Sequence, residues 1–312
     1  MQALVRKLTT ISESAAANTA VANINAKMAL ANAATRIFSN LPKGFGWASI
    51  PFNTLTLSSQ YQPIFSLEEK RAIGYEALVV GTNLSGHEFR ADTVFALSAN
   101  DDEELFLDWL SRALHLRNFS NMGAARGQLF LNAYPDAAVE DPHHPEVFAR
   151  MIEFYNVPPE DVVVEILETG VDDEIQLSDA AKLYRKMGCK IAIDDFGVGY
   201  SNFDRLWRLQ PDIVKLDGSI IRSAARDKHA RIVLANMVKL VKDCNAKVAI
   251  EGIEDSTEAK LAVDVGADYL QGYFFGRPGV NSVPREITDR IFESLSDDFS
   301  NVAGDLTAVM AQ

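Results

Sequence analysis

Short apolar runs alternate with longer amphipathic stretches along most of the chain, from about residue 57 to about residue 280. Eight of these runs have the length and composition of buried strands. They cover residues 58–65, 72–80, 128–132, 162–165, 190–194, 212–215, 247–251 and 268–271. Between most of them the apolar positions follow a helical period, as in residues 103–116, 145–155, 175–187, 230–242 and 256–265. Eight strands with intervening helices predict an α/β fold of the TIM-type (β/α)8 barrel class.

The first two strand candidates differ from the others because only residues 66–71 separate them. This connection is too short for the helical crossover that joins two parallel strands. The two runs are therefore predicted to pair as an antiparallel hairpin. The expected fold is a modified barrel in which one strand is antiparallel.

The chain is predicted to have three parts: a helical N-terminal extension or linker over residues 1–49, a barrel domain over residues 50–282 and a helical C-terminal tail over residues 283–312. In the first part, apolar positions recur at steps of three and four, but alanine replaces bulky residues on part of the stripe. Such a helix buries little area alone, so we expect it to pack on the barrel or on a partner helix. A poorly ordered leader accounts for the same composition almost as well.

Composition and charge narrow the possible partners. The chain has 30 Lys and Arg against 43 Asp and Glu, a net charge of −13 at pH 7. Gripping a nucleic-acid polymer through its phosphates requires a positive surface, so such a partner is not expected. No apolar stretch approaches the roughly 20 residues of a membrane span, and no secretory signal is apparent. We therefore expect a cytoplasmic protein. Cys189 lies in an apolar run and is predicted to be a small buried residue.

Polar side chains stand at the ends of six of the strand candidates. They are Asn132, Glu165, Asp194 with Asp195 after it, Lys215, Glu251 and Gln271, and the second hairpin strand adds Glu76. A single polar residue at a strand end marks only the point where burial stops. A whole set at matching positions is harder to explain in that way, because parallel barrel strands end at one face, where active sites of this fold lie.

Clustered carboxylates raise one another's pKa unless a cation neutralises them, so this set predicts a metal site. Carboxylate and amide oxygens suit hard ions such as Mg²⁺ or Mn²⁺, and the five histidines lie in other parts of the pattern. With three glutamates and two consecutive aspartates, two ions could be bridged. Paired ions stabilise both the attacking and the leaving oxygen of a displacement at phosphorus.

Seven short motifs occur in the order found in the bacterial EAL family, which hydrolyses cyclic di-GMP, and this ordered set makes the chain resemble that family. The motifs are Tyr61-Gln-Pro-Ile64, Tyr75-Glu-Ala-Leu78, Glu165-Ile-Leu-Glu168, Asp194-Asp-Phe-Gly197-Val-Gly-Tyr-Ser201, Lys215-Leu-Asp217, Glu251-Gly-Ile-Glu254 and Gln271-Gly-Tyr273. The resemblance extends over roughly residues 57 to 280.

The resemblance implies a metal-dependent phosphodiesterase that converts cyclic di-GMP to linear pGpG with two metal ions and an activated water. The implied metal ligands are Glu76, Asn132, Glu165 and Asp194 for one ion, and Asp194, Asp195 and Glu251 for the other. The implied catalytic set is Lys215, Glu251, Gln271 and Glu168, and the implied substrate-binding set is Gln62, Glu76 and Leu78.

Two of these implied roles reach beyond the metal ligands. Lys215 is similar to the family lysine that contacts and orients the attacking water. Glu168 resembles the anchor of the loop over residues 196–202, which in the family couples metal binding to dimerisation. The resemblance therefore implies a homodimer.

The chain departs from the family at Val80, because active members usually carry an arginine two residues after Leu78, where it contacts a ligand phosphate. Losing that contact costs about 1.5–3 kcal/mol of binding free energy. Three hypotheses stay open. The chain is an enzyme acting on cyclic di-GMP, a catalytically weak or inactive receptor for cyclic di-GMP or a protein partner, or an unrelated barrel enzyme that stabilises an enolate with a metal.

Overall fold

The structure, a computed structural model, describes residues 47–123, 126–133, 144–167, 174–198 and 203–280, together with single positions and short stretches between 283 and 293. The strands are β1 (Ile50–Phe52), β2 (Leu55–Ser66), β3 (Arg71–Thr82), β4 (Glu88–Phe89), β5 (Gln128–Ala133), β6 (Val162–Leu167), β7 (Lys190–Phe196), β8 (Ile213–Leu216), β9 (Lys247–Ile250) and β10 (Tyr269–Leu270). The helices are α1 (Ala91–Phe95), α2 (Asp101–Phe119), α3 (His144–Tyr155), α4 (Glu174–Met187), α5 (Asp204–Leu209), α6 (Gly218–Arg226), α7 (Lys228–Asp243) and α8 (Ser256–Asp264).

Eight of the strands close into a barrel, which confirms the predicted fold class. Going round the barrel, the order is β2, β3, β5, β6, β7, β8, β9 and β10, and β10 pairs again with β2. β2 is antiparallel to both of its neighbours, β3 and β10, and the remaining neighbours are parallel. β2 is therefore the reversed strand that the short first connection predicts.

All eight predicted strands are present, but several elements were not predicted. β1, β4, α1, α5 and α6 are missing from the pattern-based prediction, and most of them are only two to six residues long. Such short elements contain too little periodicity to be recognised. The hairpin strands are also longer than predicted: β2 and β3 have 12 residues each.

The buried apolar side chains form separate clusters. The larger one lies between the outside of the barrel and its helices, and a small one fills the barrel interior. A second outer core lies beneath β1 and the far half of the hairpin, where Leu57 and Val79 pack with Val94 of α1 and Leu110 of α2. This second core supports the part of the β2–β3 hairpin that extends beyond the parallel strands.

A buried polar network joins α2 to the hairpin. The hydroxyl of Tyr61 donates to the carbonyl of His115 at 2.6 Å, and a ring nitrogen of His115 lies 2.8 Å from the hydroxyl oxygen of Ser59. Asn118 reaches the same Ser59 and both donates to and accepts from the backbone of Ala48. Because every one of these groups is buried, the network holds α2 in one position against the hairpin.

Burial lowers the pKa of His115 from 6.5 to about 3, so the folded protein holds this ring neutral. The unfolded chain binds a proton there below about pH 6.5, and stability is therefore lost as the pH falls from that value towards the folded pKa. Between about pH 7 and about pH 5 we expect the free energy of unfolding to drop by about 2 kcal/mol from this residue. In His115→Gln this component is absent, and urea unfolding across the range measures it. The same pH slope in both proteins would contradict the prediction.

Cys189 is buried as predicted, and burial raises the pKa of its thiol to about 12. Among the residues that the structure describes, no helix is long and apolar enough to cross a membrane. The predicted N-terminal helix and nearly all of the predicted C-terminal tail lie outside the described residues. The division into three parts stays a prediction.

Candidate metal centre

A single layer of side chains carries the candidate chemistry, and each barrel strand supplies one member. The interior apolar layer consists of Ile64, Ile73, Phe130, Val163, Ala192, Ile213 and Ala249, with Tyr269 packed against it. On seven of the eight strands, a second side chain points into the barrel interior two positions from this apolar residue, on the side of the carboxyl face. It does so because side chains alternate along a strand. Those residues are Gln62, Asn132, Glu165, Asp194, Lys215, Glu251 and Gln271.

The eighth member, Glu76, follows its apolar partner Ile73 by three positions instead of two. A bulge explains this spacing, because Ile64 pairs with Gly74 while the next residue, Phe65, pairs with Ala72. Ile73 is the extra residue of the bulge, and Glu76 then pairs directly with Gln62. The bulge therefore brings Glu76 into the same layer as the side chains of the parallel strands.

Lys215 lies at the centre of this layer, and its side chain is fully buried. Its Nζ is 2.5 Å from Glu165 Oε1, 2.5 Å from Glu251 Oε1, 3.0 Å from Asp194 Oδ1 and 3.4 Å from Glu76 Oε2. Burial alone would lower the pKa of Lys215, but the four surrounding carboxylates raise it well above the ordinary value. The ammonium group is therefore held in its charged form.

The single positive charge of Lys215 does not neutralise the negative charge of the four carboxylates around it. Burial raises the pKa of Glu165 and of Glu251 well above the ordinary value, although Lys215 acts in the opposite direction. The pKa of Asp194 is raised by burial in the same way. In this arrangement the site is short of positive charge.

Several buried oxygens in the layer also lack a hydrogen bond of good geometry. Both carboxylate oxygens of Glu165 are in this state, as are Asp194 Oδ1 and Glu251 Oε1, even though Lys215 lies within ion-pair distance of each residue. Buried polar atoms are normally satisfied, so unsatisfied oxygens grouped in this way fit the binding of a cation.

Two groups of carboxylates have the separation that ion binding requires. Glu76, Glu165 and Asp194 each offer an oxygen within 4.8 Å of the other two, and Asp194, Asp195 and Glu251 do the same. Asp194 belongs to both groups. All of the donors are hard oxygen ligands, which fit Mg²⁺, Mn²⁺ or Ca²⁺.

Two consecutive residues, Asp194 and Asp195, reach the site because the backbone is irregular there. Side chains of successive strand residues normally face opposite sides. The register between β7 and β8 shifts between Ile193 and Phe196, and Asp195 has a left-handed φ of 54°. Burial, followed by the charge of Asp194, raises the pKa of Asp195 to about 6. The tandem acids were the sequence signal for this irregularity.

Amide side chains flank the carboxylates. Asn132 donates from Nδ2 to Glu76 Oε1 at 3.3 Å, and Gln271 donates from Nε2 to Glu76 Oε2 at 2.5 Å. The same Gln271 nitrogen lies 3.4 Å from Gln62 Oε1. The structure therefore brings together nine of the side chains named from the sequence: Gln62, Glu76, Asn132, Glu165, Asp194, Asp195, Lys215, Glu251 and Gln271.

Leu78 lies one pleat beyond Glu76 on β3, half-buried and opposite Gln60. Glu168 and residues 199–202 of the loop it was predicted to anchor lie outside the described residues, so that prediction is untested. The sequence pattern gave no prediction for the segment after Gln271. In that segment the carbonyl of Gly276 accepts a hydrogen bond from the side chain of Gln62. The aromatic run over residues 273–275 between two glycines was the available signal.

The chain is similar in sequence to known proteins over most of the barrel. The family model of the EAL domain matches residues 52–278. The cyclic di-GMP phosphodiesterase RocR of Pseudomonas aeruginosa is 28% identical over 226 residues, which is 70% of this chain and 56% of RocR. Aligned segments span between 18% and 56% of the length of the curated relatives compared.

Solved structures with the same fold include ligand complexes. A standalone EAL protein from Vibrio cholerae in its c-di-GMP bound form is 28% identical, with a TM-score of 0.68 over 76% of this chain and 99% of that chain. A Klebsiella pneumoniae protein in a manganese/cy-diGMP complex is 27% identical, with a TM-score of 0.67 over 75% of this chain and 58% of that chain.

Proposed function

The chain belongs to the EAL domain family, and from this premise we propose that it hydrolyses cyclic di-GMP to linear pGpG in a reaction that depends on divalent metal ions. One observation carries the proposal: all eight barrel strands contribute to one layer of carboxylates, amides and a lysine at the carboxyl face of the barrel. That layer is short of positive charge and has the oxygen donors for two ions. The relatives named for this activity support the same choice of substrate.

We propose Mg²⁺ or Mn²⁺ as the ions. Glu76, Asn132, Glu165 and Asp194 would hold one, and Asp194, Asp195 and Glu251 would hold the other. Such ions, when bound, polarise the phosphoryl group and favour deprotonation of water at neutral pH. The manganese complex of the Klebsiella relative supports Mn²⁺, and the acidic donor set is equally compatible with Mg²⁺.

The side chains of this protein then have defined tasks. Lys215 can donate a hydrogen bond to a water molecule and stabilise negative charge that develops on a phosphate oxygen, because its own charge is fixed by the surrounding carboxylates. Gln271 holds Glu76 and Gln62 in place. Gln62, in the layer, and Leu78, further along β3 than Glu76, are the residues that we assign to substrate contact, as the EAL resemblance implies. Hydrolysis adds water across one P–O ester bond, and the released ribose oxygen takes a proton.

A turnover assay with purified protein tests the proposal directly. Cyclic di-GMP incubated with Mg²⁺ or with Mn²⁺ is expected to give linear pGpG, separated by chromatography, and a chelator is expected to stop the reaction. If the protein binds cyclic di-GMP with either ion but releases no pGpG, the result would contradict the phosphodiesterase and support a cyclic di-GMP receptor. A preparation that neither binds nor converts cyclic di-GMP would refute the proposed substrate.

The receptor stays as the second candidate because of Val80. Its side chain is buried and apolar at the position where active family members usually carry a phosphate-contacting arginine. Every metal-ligand position nevertheless retains a suitable donor, and this favours the enzyme.

We also propose that the protein acts as a homodimer, with the N-terminal extension, barrel domain and C-terminal tail divided as the sequence predicts. The EAL resemblance motivates the dimer. Sedimentation equilibrium of the full chain should then give twice the 34.3 kDa of one chain. A single species at 34.3 kDa over the accessible concentrations would argue against it.

A further inference from the structure

The segment that follows β10, residues 272–279, crosses the hairpin at the mouth of the barrel, and we call it the rim segment. Its first residue, Gly272, has a φ of 154° and lies so close to Ile253 that a β-carbon there would be 2.1 Å from the Ile253 carbonyl oxygen. The amide of Phe274 donates to that carbonyl at 3.1 Å. At the other end, Tyr61 and Gly279 exchange two backbone hydrogen bonds of 2.7 and 3.1 Å. Both ends of the rim segment are therefore fixed.

The middle of the rim segment is also anchored. Phe275 is buried, and its ring centroid lies 5.6 Å from that of Phe65 on β2. The carbonyl of Gly276 accepts a hydrogen bond of 3.3 Å from Gln62 Nε2. Gln62 in turn lies next to Gln271, which donates to Glu76. A continuous set of contacts thus connects the rim segment to the metal centre.

Arg277 comes directly after Gly276 and is exposed at this rim. Its guanidinium carbon lies 4.2 Å from the centroid of the Tyr273 ring, whose side chain is 41% exposed. Within the described part of the chain, no carboxylate lies within ion-pair distance of Arg277. The guanidinium is therefore held against an aromatic ring, and among the described residues no partner occupies its hydrogen-bonding edges.

An anionic substrate gains affinity from a cation at this mouth in addition to the proposed metal ions. The chain carries a net charge of −13, and the next two residues on the same face of β3 as Glu76, the half-buried Leu78 and the buried Val80, have no charge. Lys215 lies among four carboxylates, whose combined negative charge exceeds its own positive charge. Arg277 is a positive group connected to the layer through rigid backbone and available to solvent.

We propose that Arg277, held against Tyr273, is a substrate-recognition residue that contacts a phosphodiester oxygen of the cyclic dinucleotide and substitutes for the arginine absent at Val80. The inference rests on the proposed function. A planar guanidinium can bind two phosphate oxygens at once, and stacking on Tyr273 reduces the conformational entropy lost on binding. Arg277 takes part in binding, and the bond-breaking step belongs to the layer around Lys215.

Binding of cyclic di-GMP in the presence of Ca²⁺, measured by calorimetry on the full chain, tests this inference. Arg277→Gln is expected to raise the Kd by about 10- to 100-fold, the usual effect of losing a charge-assisted hydrogen bond. The salt dependence of the Kd should also become shallower, because one phosphate contact is lost. Arg277→Lys should recover only part of the affinity, and Tyr273→Leu should weaken binding while Tyr273→Phe does not.

The matched control is Arg71→Gln, which removes an exposed, ion-paired arginine from the opposite end of the hairpin and should leave the Kd unchanged. The Mn²⁺ affinity should be the same in all of these proteins, because none of the substitutions touches a carboxylate of the layer. An unaltered Kd and salt dependence in Arg277→Gln would overturn the inference while the proposed function stands. If the unmodified protein itself neither binds nor converts cyclic di-GMP, the proposed function fails, and the inference fails with it.

Discussion

Glu165→Gln is expected to lower turnover of cyclic di-GMP by about a thousandfold or more and, at the same time, to make the metal-free protein more stable near neutral pH. Turnover falls because an amide replaces a fully buried carboxylate that would bind a metal ion and whose oxygens have no close donor other than Lys215. Stability rises because burial outweighs the attraction of Lys215 and raises the pKa of Glu165. Folding therefore disfavours its charged form, and a neutral side chain of equal size removes that penalty.

Turnover and Mn²⁺ affinity measure the first effect, and urea unfolding in the presence of a chelator measures the second. Glu160→Gln is the matched control, since Glu160 is exposed just before the opposite end of β6. It should change neither quantity. A Glu165→Gln protein that retains full turnover would exclude the proposed metal ligand, and one that unfolds more easily would show that Lys215 stabilises the ionised carboxylate more than burial destabilises it.

Lys215→Met is expected to destabilise the metal-free protein by about 3–5 kcal/mol at neutral pH, the usual cost of removing one partner from a buried ionic group. The methionine fills similar space, but the carboxylates that contact Nζ lose their common cation. Their pKa values then rise further. Because a carboxylate with a raised folded-state pKa is penalised only above its unfolded value near 4.5, the loss of stability should be larger at about pH 7 than at about pH 5.

Urea unfolding with and without Mn²⁺ distinguishes this electrostatic cause from a packing defect. Added Mn²⁺ should raise the free energy of unfolding more in Lys215→Met than in the unmodified protein. The reason is that in the variant the ion binds without competition from an ammonium group. Lys247→Met is the control, since Lys247 forms a half-exposed ion pair with Asp268 at 2.9 Å and should matter little. If Lys215→Met loses the same stability at both pH values and does not respond to Mn²⁺, the electrostatic explanation is wrong.

Much of the barrel and most of the polar layer could be predicted from the chain. The polar residues Asn132, Glu165 and Lys215 were recognisable because each directly follows a short apolar run of strand length. The reversed strand was recognisable because its connection to the next one is short. These features depend on local periodicity and loop length, which a sequence displays directly.

Other features of the site depend on three-dimensional arrangement and left only weak local signals. The bulge at Ile73 sets the position of Glu76, and its one local sign is the adjacent Gly74, since a glycine within a strand often marks a bulge. Lys215 was interpreted as a residue that orients water, and its simultaneous contact with carboxylates of four strands appears only in the folded barrel. The rim segment approaches Gln62 across more than 200 residues of chain, as in the contact of Gln62 with Gly276.

The second outer core has a consequence for how proteins of this architecture can diversify. The carboxylate layer rests on the packing inside the barrel, whereas the far half of the hairpin, with Leu78 and Val80, rests on Leu57, Val79, Val94 and their neighbours. Substitutions can accumulate in one cluster without loosening the other, because the two share no side chain. Ligand preference can therefore change through substitutions in the far half of the hairpin, while the residues of the carboxylate layer stay the same.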